Sequence, residues 1–171
     1  MYKITVPFLL ILVVCSCTPF QTAPTIDDYQ ITKGAQLKEG LPEKNLFVFE
    51  DPKDANEFYN YINTKFNLEN YYVDVEVPFN LDGRNYFLSF YEVEMLDRTV
   101  DTFGTVLGII AGEELEEEPE EFKHYIAIEV FSSIENDCLK ETYPSRESIV
   151  THLNILKNEY LNGRNWNRLV R

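Results

Sequence analysis

Groups able to hold a metal or act as a nucleophile are scarce here: the 171 residues include two histidines, three cysteines and one tryptophan. His124 and His152 stand far apart, with no H-E-x-x-H spacing between them. No G-x-S-x-G nucleophile elbow or G-x-x-x-x-G-K phosphate loop occurs either. Each histidine therefore reads as a boundary residue rather than a ligand, and neither metal nor cofactor is expected. Basic residues are few as well, 15 against 29 acidic ones, for a net charge of −14 at pH 7. A nucleic-acid binder carries a basic patch, so that partner class is excluded. Acidity steers cationic partners but does not choose a fold. A long apolar run is also missing. The best candidate, Ile4 to Val14, contains Thr5 and Pro7 and falls well short of the about 20 residues that span a bilayer.

That short run has a different meaning. Lys3 precedes an apolar stretch from Val6 to Val14, and Ser16 stands directly before Cys17. With Val14 at −3, Ser16 at −1 and Cys17 at +1, the segment resembles the lipid-attachment signal of bacterial lipoproteins. Cys15 at −2 is a less common occupant. An ordinary secretory signal would end in small residues at an A-x-A-like site, which Val14-Cys15-Ser16 fits poorly. The resemblance covers this segment alone. It implies cleavage before Cys17, acylation of Cys17, and the membrane as a partner through the acyl chains. One myristoyl chain binds only reversibly, with K of about 10⁴ M⁻¹, so the two or three chains of such proteins are what make attachment lasting. Thr18-Pro19-Phe20, with no aspartate directly after Cys17, resembles sorting to the outer membrane, facing the periplasm.

Acylation also settles the cysteine arithmetic. Cys15 leaves with the signal and Cys17 is modified, so Cys138 has no partner for an intramolecular disulfide. Glu135, Asp137 and Glu141 surround it in sequence. A reactive thiolate needs an electropositive setting, so Cys138 reads as a buried, inert thiol.

Three stretches follow from these signals: residues 1–16 as signal peptide, 17–43 as lipidated cysteine and flexible tether, and 44–171 as a single domain. The tether reading rests on Pro19, Pro24, Gly34, Gly40 and Pro42 among polar residues without a sustained period. In the domain, Asn45 to Phe49 is an apolar run of strand formers. Asp51-Pro52 predicts a helix start, with a stripe of Ala55, Phe58, Tyr59, Ile62 and Phe66. Tyr71 to Phe79 and Arg84 to Asp97 alternate on either side of Asp82-Gly83, a hairpin signal. Val73, Val75 and Val77 are expected on one face of the first of these strands. Lys123 to Phe131 is a further strand. A helix capped by Ser145 runs to about Asn162, striped by Ile149, Leu153, Leu156 and Tyr160, with Gly163 as its stop. Phe103 to Gly112 fits a strand or a buried helix equally. The predicted class is α+β, an antiparallel sheet with helices packed on one face.

Glu113, Glu114, Glu116, Glu117, Glu118, Glu120 and Glu121 form the densest charge run. Calcium loops alternate ligands with small turn residues and a glycine, a geometry this run lacks. It reads as a solvated acidic loop or as a docking surface for a cationic partner. The pairs Asp74/Glu76 and Glu92/Glu94 would meet if the hairpin aligns them, either as solvated charge or as the two carboxyl groups of glycoside hydrolysis. Tyr61, Tyr71 and Tyr72 are less clearly inward than the other aromatics. The tail from Gly163 to Arg171 is expected to dock through Trp166 or to serve as an interaction tail.

Together these features predict a lipid-anchored, non-enzymatic interaction protein, one form being an immunity-like inhibitor of a cationic toxin or hydrolase. A small-molecule or cell-wall-glycan binding lipoprotein and a carboxylate-dependent glycan hydrolase are the alternatives.

Overall fold

The computed structural model describes residues 23–97, 121–163 and 165–168. Among these residues five antiparallel strands form one sheet in the order β1-β2-β5-β4-β3. They are β1 (Gln30–Lys33), β2 (Asn45–Glu50), β3 (Val77–Leu81), β4 (Arg84–Leu96) and β5 (Phe122–Phe131). A one-turn helix, α1 (Gly34–Leu37), follows β1. The two longer helices are α2 (Glu57–Phe66) and α3 (Arg146–Asn162), and Trp166–Arg168 forms a final 3-10 turn. The fold is α+β. Among the described residues no helix is long and apolar enough to cross a membrane.

The hairpin lies where Asp-Gly predicts it. Leu81 pairs with Arg84, while Asp82 (φ 52°) and Gly83 (φ 74°) are both left-handed. That is the turn whose twist matches the flanking strands, and it favours glycine because Cβ crowds positive φ. The predicted strand from Tyr71 shrinks to Val77–Leu81. Asn67, Glu69, Asn70, Tyr72 and Glu76 all take positive φ, which breaks the extended run. Val73 and Val77 are buried as expected, but Val75 turns outward.

Helix α2 starts later than Asp51-Pro52 suggests. The Asp51 carboxylate accepts the Lys53 N–H at 3.1 Å, closing a local turn of the kind that competes with helix. Asn56, at φ 66°, then precedes Glu57. The stripe shifts accordingly: Phe58, Tyr61 and Ile62 are buried. Tyr61 is thus a core residue, not a surface one, and Trp166 packs on its ring at 5.0 Å. Helix α3 keeps its predicted span and buries Ile149, Leu153, Leu156 and Tyr160. Ser145 occupies the capping position, and its carbonyl accepts the Ile149 N–H at 3.1 Å, but its hydroxyl makes no capping bond and accepts from Arg84 at 3.0 Å instead.

Both faces of the sheet are buried, through alternate residues of the same strands. Phe47, Phe49, Ile126, Ile128, Leu88 and Phe90 face α2 and α3. Leu46, Val48, Val93, Met95, Tyr125 and Ala127 face the other way, onto Ile26 and Leu37. This second layer corrects the tether reading. Residues from Ala23 onward belong to the folded body: β1 extends the sheet, the Tyr125 hydroxyl donates to the Pro24 carbonyl at 2.6 Å, and Tyr29 stacks on Phe47 at 4.6 Å. Lys157, 2% exposed on α3, is held by the carboxylate and carbonyl of Asp28. Gly34 fits only because it lacks a side chain, since a Cβ there would lie 2.4 Å from the Pro42 carbonyl oxygen. Pro24, Gly34, Gly40 and Pro42, which read as tether, belong to a strap that covers a sheet face.

Candidate functional site

Strand β4 has 13 residues and β3 only five, so β3 covers β4 no farther than Leu88. Beyond that point no described strand occupies the lane on this side of β4. The Phe90 N–H bonds the Asp74 carbonyl at 3.0 Å, which shows that the backbone groups of Phe90, Glu92 and Glu94 point into this lane, since successive residues alternate. A slot of about 540 Å³ follows it. Asn56 and Tyr59 stand on one wall and Lys38 to Leu41 of the strap on the other, with Asp74 at the end nearer β3. Around Glu92 the slot meets a second cleft of about 470 Å³ on the helix side of the sheet. Asp51, Lys53, Asp54, Glu94 and His124 line that cleft. Register places Glu94 directly opposite His124 and Glu92 opposite Ile126.

Charge in this depression is one-sided. Glu39, Asp54, Asp74, Glu92 and Glu94 supply carboxylates. Its two lysines are already engaged: Lys38 Nζ donates to the Glu94 carbonyl at 2.9 Å, and Lys53 Nζ to the Tyr160 carbonyl at 2.7 Å. Desolvation and then the nearby Asp51 carboxylate hold the Glu92 carboxyl above its usual range, while the Asn56 N–H and His124 pull it back. A carboxyl raised in this way is an ingredient of general acid chemistry.

Asp51 serves another purpose. It is 8% exposed, and the Tyr160 hydroxyl donates to its two oxygens at 3.0 and 2.9 Å. Burial raises its pKa most, against the Lys53 N–H, the Tyr160 hydroxyl and the Lys53 charge, which lower it. Burial and that same carboxylate keep the Tyr160 proton well above the ordinary phenol range. The pair joins the end of β2 to the last turn of α3, with Asp51 lining the cleft.

The residues singled out from sequence fall in several places. Cys17 and Glu113, Glu114, Glu116, Glu117, Glu118 and Glu120 lie outside the described residues, as does the segment Phe103 to Gly112. Glu121 is exposed, and its carbonyl accepts the Asp97 N–H at 2.8 Å where β4 and β5 end. Asp74 does join Glu92 at the slot. Glu76 does not; its N–H bonds the Ser89 hydroxyl at 3.1 Å instead. Cys138 is buried and free, and burial raises its pKa. Tyr71 and Tyr72 are exposed, 74% and 76%. Among the described residues no group of three or more potential ligands is placed to hold a metal. Asp51, Asn56 and Lys38 had no sequence signal linking them to this site.

His152 is a structural residue. Its ring stacks on Phe79 at 4.9 Å, and its buried Nε2 has no hydrogen-bond partner. Desolvation, then the charge of Lys65, holds its pKa below the usual value. An unfolded chain binds this proton first as pH falls, so stability declines through the window below the ordinary histidine pKa of about 6.5. His152→Phe keeps the stack and removes the unsatisfied nitrogen. It is expected to raise Tm at pH 7 by about 2–4 °C and to lessen the decline between about pH 7 and 5. A thermal melt series by circular dichroism checks both; a lower Tm with unchanged acid sensitivity would refute this role.

No family model, curated protein or solved structure matches this chain.

Proposed function

We propose that this protein is a lipid-anchored component of the bacterial envelope that binds a cationic protein partner without catalysing a reaction, in the manner of an immunity-like inhibitor. The carrying observation is the depression beside β4, open to solvent and lined by Glu39, Asp54, Asp74, Glu92 and Glu94, with both its lysines engaged by backbone carbonyls. On a chain of net charge −14, such a surface attracts a basic partner over distances of about a Debye length and rejects acidic ones. Anchoring through Cys17, outer membrane facing the periplasm, is the accompanying proposal and rests on the signal-like segment from Lys3 to Cys17.

Two measurements on the full-length protein test the two halves. Mass spectrometry of the mature amino terminus is expected to find acylated Cys17; an unmodified Cys17, or a terminus at another residue, rejects the anchor. Capture of the lipidated protein from envelope extract is expected to recover a basic protein whose affinity falls with added salt. Reversing charge with Glu92→Lys and Glu94→Lys should weaken that binding about tenfold or more. A partner indifferent to salt and to both substitutions rejects the acidic surface as the binding site.

A further inference from the structure

The open lane has more than charge to offer. Four backbone groups point into it without a partner among the described residues: the Phe90 carbonyl, the Glu92 N–H and carbonyl, and the Glu94 N–H. An unpaired strand edge is a template for another strand, and proteins that leave one accessible use it to add an extended peptide. Among the described residues the edge is neither bulged away nor covered. Lys38 reaches only the Glu94 carbonyl, and the Ala23 N–H takes the Leu96 carbonyl at 3.2 Å, which closes the lane at its far end. The opposite end is closed by Asp74, whose carbonyl already acts as the last rung of the ladder on Phe90. Between these stops the slot is as long as a short strand.

We infer that the slot takes a short extended segment of the partner as a sixth strand beside β4, with lysine or arginine at alternate positions. This inference rests on the proposed binding of a cationic protein and adds how it is bound. Alternation is the deciding feature. A strand in this lane would send every second side chain to the helix-side face, where Glu92 and Glu94 stand among Asp51, Asp54 and His124. Basic side chains there meet carboxylates, while the intervening residues face Lys38 to Leu41 of the strap. Beyond the closed end, exposed Tyr71 and Tyr72 offer ring faces to a further cation. A second copy of this chain is disfavoured, because pairing two β4 edges would bring Glu92 and Glu94 of each copy against one another in a lane whose described lysines, Lys38 and Lys53, are already engaged.

A synthetic peptide alternating lysine with valine and threonine is the probe, titrated against the full-length protein by fluorescence anisotropy. A version N-methylated at every second amide keeps the charges and cannot donate to β4. A third version, with glutamine for lysine, keeps the backbone and loses the charges. Edge addition predicts that the parent peptide binds and that N-methylation and charge removal each weaken it about tenfold. Glu92→Pro, which removes a lane-facing N–H and none shared with β5, should weaken binding beyond Glu92→Gln, which loses the same carboxylate and keeps that N–H, if circular dichroism shows both folded. Equal binding of the N-methylated and parent peptides overturns edge addition while leaving the acidic docking surface standing. No binding by any peptide also overturns it, and capture of a basic partner then judges the broader reading separately. A dimer in light scattering that the parent peptide does not dissociate would give the edge to a second copy and reject the proposal.

Discussion

Deleting residues 23–43 is expected to abolish the cooperative unfolding transition, whereas deleting only residues 1–22 is expected to leave it in place. The reasoning lies in the second face of the sheet. Ile26 and Leu37 close over Leu46, Val48, Val93, Met95 and Tyr125. Burying each of the two covering side chains contributes about 1.5–3 kcal/mol, and removing them re-exposes part of five others. Strand β1, the Tyr125–Pro24 hydrogen bond and the Asp28 partner of Lys157 go with them. Lys157 loses the Tyr29 ring over its ammonium together with that carboxylate. Domains of this size are stable by about 5–15 kcal/mol in total, so the combined loss is comparable to the whole. Thermal melts of chains 23–171 and 44–171, followed by circular dichroism and a dye that reports exposed apolar surface, distinguish the outcomes. A cooperative melt of 44–171 within a few degrees of the longer chain would restore the tether reading.

Tyr160 carries the second large effect. Its ring is fully buried against Phe49, Phe58 and Tyr61, and Lys53 lies over it at 4.7 Å. Tyr160→Ala is expected to destabilise the protein by about 3–5 kcal/mol. Tyr160→Phe isolates the hydroxyl. It keeps the packing but strips the buried Asp51 carboxylate of its phenol donor, for a loss of about 2 kcal/mol at neutral pH. The pH dependence separates this cause from a packing defect. Because the folded-state pKa of Asp51 is raised, the folded protein holds its proton over a range where the unfolded chain, with a pKa of about 3.9, has lost it. Stability from this group therefore falls as pH rises through that window and stays reduced above it. The phenol offsets part of the cost by favouring the ionised form. Tyr160→Phe should consequently cost more at pH 8 than at pH 4, and Asp51→Asn should come within about 1 kcal/mol of the parent at neutral pH while losing this contribution. Urea titrations across the pH series measure it. A Tyr160→Phe deficit independent of pH would show that the hydroxyl does not act through Asp51.

Local signals carried much of the fold. Asp82-Gly83 placed the hairpin, and the spacing of Ile149, Leu153, Leu156 and Tyr160 placed α3, because each depends on neighbours a few residues away. Leu46-Phe47-Val48-Phe49 held more information than a one-faced sheet needs: four consecutive apolar residues indicate a strand buried on both sides. That run announced a second covering layer, but nothing local identified residues 23–43 as the cover, since short irregular segments bury isolated side chains without a period. The same limit hid the site. Asp51 and Tyr160 are distant in sequence, and the open lane exists only because β3 stops at Val77 while β4 runs on to Leu96. Strand lengths can be read from a sequence; the mismatch between two partners becomes visible only once their register is known.

The early start of the folded body alters how the domain would sit on a bilayer. With acyl chains on Cys17, the path to Ala23 is six residue steps and reaches about 20 Å at full stretch. That is less than the width of a small domain. The body would thus be held against the headgroups with little freedom to tumble, its amino-terminal strap nearest the lipid. In that arrangement a partner seeking the β4 lane would meet it in the narrow layer beside the bilayer rather than in open solvent, and its own position in that layer would become part of the recognition.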